Sequence, residues 1–247
     1  MQYDTYTNIG NGDVNEDSFS IAMFDDNTVL FAVADGLGGH GGGEIASRCA
    51  VNEVCSLFSE KGFYENFFED AFMNAQKAIW KEQEKIRSTS ALKTTMVLLV
   101  IKNDIAHWAH VGDSRLYIFH NGKLKKRTLD HSVPQALVMQ RVIKENEIRN
   151  HPDRNRLLRV LGVRGEQPRY EVGKPFKLHG KNQFLLCTDG FWELVDEHAM
   201  QGEIRSSKNP TEWLDSLVKK IQINGKDRVM DNYTGIAVYT ESKGLFF

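Results

Sequence analysis

Thr28-Val29-Leu30-Phe31-Ala32-Val33-Ala34-Asp35-Gly36 is an apolar run that ends on a carboxylate and a glycine. Leu185-Leu186-Cys187-Thr188-Asp189-Gly190 repeats the design. Both runs are apolar at odd and even positions, the pattern of a strand covered on both faces rather than one washed by water. The glycine lets the backbone turn sharply, so each strand delivers an acid to the edge of a sheet. The surrounding sequence extends this pattern. Asp17 to Phe24 reads as a strand joined to the first run by the turn Asp25-Asp26-Asn27. Thr94 to Ile101, Ile105 to Val111 and Arg115 to Phe119 read as strands linked at Asn103-Asp104 and Gly112-Asp113. Asn121-Gly122 is a hairpin signal leading into Lys123 to Arg127. Arg169 to Leu178, Phe184 to Thr188 and Thr234 to Thr240 complete the strands. Ile45 to Phe58, Phe67 to Ile86 and Trp213 to Ile221 carry apolar residues at helical spacing, with Gly62 breaking the first two. Residues 131–161 start helical and turn irregular, an excursion from the core. Hairpin-linked strands with helices in blocks predict an α+β fold with mainly antiparallel sheets.

The chain has 247 residues, 41% hydrophobic and 26% charged, with a formal net charge of −2. That composition belongs to a globular protein and excludes disorder, collagen and coiled-coil rods. It offers no basic surface for nucleic acid or anionic membrane. The three cysteines, Cys49, Cys55 and Cys187, form no C-x-x-C pair and read as reduced thiols. No basic-then-apolar leader opens the chain, and the longest strongly apolar stretch, Met96 to Ile101, is far short of a membrane span. A single domain over 1–247, in the cytoplasm, is the expectation.

Further acids stand beside strands: Asn15-Glu16-Asp17, Val111-Gly112-Asp113-Ser114 and Asp231-Asn232. Single Asp-Gly pairs are usually turn residues. A set of carboxylates meeting at sheet edges repels itself unless cations lie between, and hard cations such as Mg2+ and Mn2+ take oxygen ligands. Other chemistries fit less well. Gly36-Leu37-Gly38-Gly39-His40-Gly41 matches G-x-G-x-x-G, but a dinucleotide fold needs a parallel strand after the helix, and here a second helix follows. No Walker lysine, nucleophile elbow or H-E-x-x-H motif is present. Cys55 and Cys187 lack the downstream arginine of a cysteine phosphatase, with Lys61 and Glu193 in its place. The eight histidines show no obvious ligand pair; His107 and His110 read as structural.

Asn15-Glu16-Asp17-Ser18-Phe19, Val33-Ala34-Asp35-Gly36-Leu37-Gly38-Gly39-His40, His110-Val111-Gly112-Asp113-Ser114-Arg115, Thr188-Asp189-Gly190 and Asp231-Asn232, with Thr94-Thr95, Asp130-His131-Ser132 and Leu161-Gly162, occur in one order and spacing. In these the chain resembles the metal-dependent protein phosphatases of type 2C, in their bacterial form, from about Asn8 to Tyr239. The resemblance implies a central β-sandwich of two mainly antiparallel sheets flanked by helices on both faces. It implies that Asp35 bridges two ions, Mn2+ or Mg2+. Asp189 and Asp231 would complete one shell, and Glu16 with the Gly36 carbonyl the other. Asp17 would accept a hydrogen bond from water held there, and Asp113 with Glu193 would take a third, weaker ion. The excursion at 131–161 would be the family's flap. The implied activity is hydrolysis of phosphoserine and phosphothreonine in proteins by a water activated between two cations, which lower its pKa. A monomer opposing a serine/threonine kinase is the expected setting.

Two rival readings remain. One is a binding module of the same fold with weakened catalysis; the other is a phosphatase for small phosphate esters. Five retained carboxylates argue against the first. Three positions depart from the family. Gly12 stands where a phosphate-binding arginine is usual in that family, which makes Arg48, Arg141 and Arg154 the candidates for its task. Leu37 replaces a histidine of the animal branch, with His40 three residues on. Lys93 replaces a glycine.

Overall fold

In the computed structural model, residues 1–37, 42–86 and 92–242 are described. His40, and most of the glycine-rich loop around it, lies outside them. The strands are β1 (Gln2–Asn8), β2 (Asp17–Asp25), β3 (Thr28–Leu37), β4 (Lys93–Thr94), β5 (Met96–Lys102), β6 (Ile105–Val111), β7 (Arg115–His120), β8 (Lys123–Arg127), β9 (Glu171–Val172), β10 (Phe176–Lys177), β11 (Gly180–Cys187) and β12 (Tyr233–Ser242). The helices are α1 (Gly43–Lys61), α2 (Phe67–Lys85), α3 (Val133–Met139), α4 (Asp189–Trp192), α5 (Glu197–Ser206) and α6 (Pro210–Gly225), with a 3-10 turn at Glu145–Asn150.

One sheet runs β1-β12-β11-β7-β8 and the other β10-β6-β5-β3-β2, with β4 on β3 and β9 on β6. The strand pairings are antiparallel. The alternation of β3 explains the layers. Val29, Phe31 and Val33 point between the sheets, against Leu116, Ile118, Phe184, Leu186, Ile236 and Val238. Leu30, Ala32 and Ala34 point outward beneath α1 and α2. On the far side Tyr117, Phe119, Leu185 and Ala237 are covered by α5 and α6 through Met200, Trp213, Leu217 and Ile221. The expected sandwich with helices on both faces is therefore present. Each buried aromatic such as Phe31 contributes about 1.5–3 kcal/mol by leaving water.

Some boundaries differ from the sequence reading. The stretch Arg169 to Leu178 is no single strand but β9 and β10 either side of Gly173, which packs so closely on the Trp108 indole that an added Cβ would lie 2.0 Å from it. The run Thr94 to Ile101 breaks at Thr95. Strand β1 and helices α4 and α5 are additions to it. Asp196 starts α5 by accepting the Ala199 N–H, 2.7 Å away, an N-cap visible in sequence. Residues 131–161 contain α3 and the 3-10 turn, and α3 is capped by Ser132 with Pro134 in its first turn. The cysteines are unpaired, Cys187 buried and the others partly so. Among the described residues no helix is long and apolar enough to cross a membrane.

Candidate metal centre

The antiparallel register sets Asp17 directly opposite Asp35 across β2 and β3. Asp35 is fixed through its backbone: its N–H donates to Thr95 Oγ1 at 3.0 Å, and its carbonyl accepts from Thr94 Oγ1 at 2.8 Å and the Thr95 N–H at 2.9 Å. The next residue admits only glycine, because a Cβ at Gly36 would lie 2.2 Å from the Gly43 carbonyl oxygen. This close approach brings the start of α1 onto Glu16, whose Oε1 accepts the Gly43 N–H at 3.2 Å and whose carbonyl accepts the Ser47 hydroxyl at 2.6 Å.

The second sheet brings the other acids. Asp189 opens α4 at the end of β11, and Asp231 precedes β12. Thr188 joins the two halves: its hydroxyl donates to Asp17 Oδ2 at 2.9 Å and accepts the Thr234 N–H at 3.0 Å. Asn232 does the same for the loops. Its Oδ1 accepts the Glu16 N–H at 2.7 Å, while its amide donates to the Ile9 carbonyl at 2.7 Å and to that of Val14 at 3.2 Å. Nothing in the sequence alone gives Thr188 or Asn232 this task. Their signal was their place beside the acids.

Asp113 follows Gly112, whose φ of +93° suits glycine, and the Asp113 carbonyl accepts the Trp192 indole N–H at 2.9 Å. Beside it Arg115 is buried with Asp130: Nε and Nη2 donate to the two carboxylate oxygens at 2.8 and 2.6 Å, and the guanidinium lies 3.4 Å over the Trp192 ring. This pair gives the Asp113-Ser114-Arg115 and Asp130-His131-Ser132 motifs a structural reason. Glu193, at the end of α4, is engaged by Arg154, whose Nε lies 2.9 Å from Oε1 and 3.1 Å from Oε2.

The electrostatics are those of crowded anions. Burial, then the charges of Asp189, Asp17, Asp113 and Asp231, pushes Asp35 well above the carboxylate range. Burial, then Asp113 and Asp231, does the same to Asp189. Burial pushes Asp17 up to about 7 against the hydrogen bonds from Thr234 and Thr188. Asp113 is pushed up to about 7 by burial and Asp130. Burial raises Glu16 and Glu193 too, the latter against Arg154. A group of buried carboxylates that ionises only with difficulty holds protons or cations. Its donors are all oxygens, the set that fits Mg2+ and Mn2+ and not a soft metal.

A different group lies at the root of the 131–161 excursion. His110 and His131 stack with ring centroids 4.6 Å apart, and Glu171 stands opposite His110 across β6 and β9. Among the described residues this trio alone has three ligand atoms within 4.8 Å of one another; the acidic cluster is more open. The eight histidines thus do contain a close pair, brought together by pairing that the sequence does not display. Hydrogen bonding argues against a metal here. The Gly112 N–H donates to His131 Nδ1 at 3.2 Å, which leaves the ring proton on Nε2, 3.8 Å from Glu171 Oε2. Burial and the neighbouring His110 and Arg159 push His131 down to about 3, so it stays neutral.

An antiparallel αββα sandwich with buried carboxylates gathered where its strands end defines a metal-dependent hydrolase of the phosphatase kind. The family model described as protein phosphatase 2C matches residues 6–223, and the chain belongs to that family. The serine/threonine phosphatase stp of Listeria welshimeri is 30% identical over 91% of this chain and 89% of its own. The structure of the serine/threonine phosphatase Stp1 from Staphylococcus aureus superposes with a TM-score of 0.88 at 25% identity, over 97% of this chain and 95% of that one. The catalytic domain of the serine threonine protein phosphatase PstP, solved with two manganese ions, superposes at 0.81 and 23% identity over 97% and 98% of the chains.

Proposed function

We propose that this protein hydrolyses phosphoserine and phosphothreonine in proteins with the help of two Mn2+ or Mg2+ ions, and a third held more weakly. The observation that carries the reading is the set Asp17, Asp35 and Asp189, enclosed and coupled by charge where both sheets end, with the half-buried Glu16 and the exposed Asp231 beside it. Asp35 would be shared by the pair, Asp189 and Asp231 would hold one ion, and Glu16 with the Gly36 carbonyl would hold the other. Asp113 and Glu193 serve the third. The chemistry such cations would supply is a lowered pKa for bound water and neutralisation of the phosphoryl oxygens. Their preference for retaining water ligands suits an open cluster.

The chain's own residues orient and position. Asp17, fixed by the Thr188 hydroxyl, accepts a hydrogen bond from the attacking water and aligns it. Thr94 and Thr95 keep the Asp35 backbone still, and Asn232 keeps the Glu16 loop closed on it. The whole of 1–247 acts as one phosphatase domain, with 131–161 as its flap. It works as a monomer in the cytoplasm against a serine/threonine kinase. The test is hydrolysis of para-nitrophenyl phosphate and of a phosphopeptide panel with manganese and with EDTA. Manganese-dependent turnover with peptide substrates favoured supports the reading. Turnover of small esters alone, or none, overturns it.

A further inference from the structure

The cleft that opens on Asp189 and Asp231 is lined by more cations than its own acids engage. It encloses about 580 Å3, and Gly12, Arg149, Arg154 and Arg228 are on its wall. Gly12 offers no side chain there, at the position where the resemblance to the type 2C phosphatases implies an arginine. Arg154, from the loop after the 3-10 turn, meets Glu193 through Nε alone. Its Nη1 and Nη2 have no hydrogen-bond partner among the described residues, and its side chain is 40% exposed. Two parallel N–H donors on a planar cation suit two oxygens of one phosphate. Arg228 is exposed and forms no ion pair among the described residues. Arg149 differs, being held by Glu197 at 2.8 Å and lying over Trp192. Of the arginines that stand in for the missing contact in the sequence, Arg48 instead lines a separate cavity beside Asp17 and Asn52, and Arg141 is absent from the lining of this cleft.

We infer that Arg154 grips the substrate phosphate in place of an arginine at Gly12, and that Arg228 selects phosphopeptides with an acidic side chain next to the phosphorylated residue. The inference rests on the phosphatase reading above and names its substrate class. Glu193 holds Arg154 by one nitrogen and leaves the fork free to turn onto the phosphate.

Steady-state kinetics on phosphopeptides with acidic or neutral flanks test it, with para-nitrophenyl phosphate beside them. Arg154→Ala is expected to raise KM roughly tenfold, about 1.4 kcal/mol, with kcat within about twofold. Arg154→Lys recovers part of the loss, since a point charge lacks the fork. Adding Gly12→Arg to Arg154→Ala restores KM. Gly12 is free of positive φ, and a Cβ there meets Asn232 Nδ2 and the Val14 carbonyl at 3.3 Å, so neighbours must shift by only tenths of an ångström. Arg228→Ala brings the KM values for acidic and neutral peptides together. An unchanged KM in Arg154→Ala, a fall in kcat at constant KM, or an undiminished acidic preference in Arg228→Ala overturns the assignment. If the wild-type enzyme turns over para-nitrophenyl phosphate but these shifts are absent, only the arginine assignment fails. If manganese supports no turnover of any substrate, the phosphatase reading fails and this inference with it.

Discussion

Asp35 combines a fixed backbone with a side chain surrounded by like charge. Replacing it removes a source of repulsion and, on the proposed reading, an ion ligand as well. Asp35→Asn or Asp189→Asn is therefore expected to lower kcat at saturating manganese by roughly a hundredfold or more while the metal-free protein melts higher than wild type. Turnover assays and thermal melts in EDTA check both halves, and retention of more than a few per cent of kcat by the Asp35 variant sinks the bridging role. Asp113 differs because Asp130 and Arg115 act on it most strongly, although its own charge also reaches Asp189 and Asp35. Asp113→Ala is expected to keep two ions by calorimetry and to lose turnover. Loss of every ion in that variant would move Asp113 into the primary pair.

Elements position these residues through a few buried polar contacts. The Arg115–Asp130 pair is 2% and 1% exposed and ties β7 to the start of the 131–161 excursion. Removing one partner strands a buried charge, so Asp130→Ala is expected to cost about 3–5 kcal/mol by urea unfolding. A variant within 1 kcal/mol of wild type, to an order of magnitude, contradicts this account of the pair. Strand β3 was legible because it is apolar on both faces and ends on Asp35-Gly36. Strand β1 was not: Gln2-Tyr3-Asp4-Thr5-Tyr6-Thr7-Asn8 is a polar edge strand, recognisable only through its pairing with β12. Helix α4 is four residues long, too short for any periodicity.

Across the whole molecule the acidic cluster couples folding to pH and to cations. Asp17 and Asp113 titrate near 7 in the fold and near the ordinary carboxylate value when unfolded. Their folded pKa values are raised, so the native state binds more protons between about pH 4 and 7, and metal-free stability falls as pH rises through that window. Unfolding in EDTA is expected at a higher temperature at pH 5 than at pH 7.5, by about 2–4 °C for each kcal/mol of linkage, with manganese recovering the loss at pH 7.5. A metal-free melting temperature that rises with pH contradicts the repulsive cluster.

The chain sequence by itself determined mainly antiparallel sheets covered on both faces and acids set at the strand ends. Apolar strands ending on Asp-Gly write both into local order, but the glycine at position 36 is demanded by the approach of the Gly43 carbonyl, since β3 runs on through it to Leu37. Only the tertiary structure decided which residues serve those acids. Thr188 reaches Asp17 across 171 positions of chain and Asn232 reaches Glu16 across 216, contacts made by sheet pairing and not by any local pattern. The same holds for the stacked His110 and His131 and for Arg154 on Glu193. A side chain of the 131–161 excursion acquires its partner only when the chain has folded, because long-range contacts between polar groups leave no periodicity in the chain that makes them.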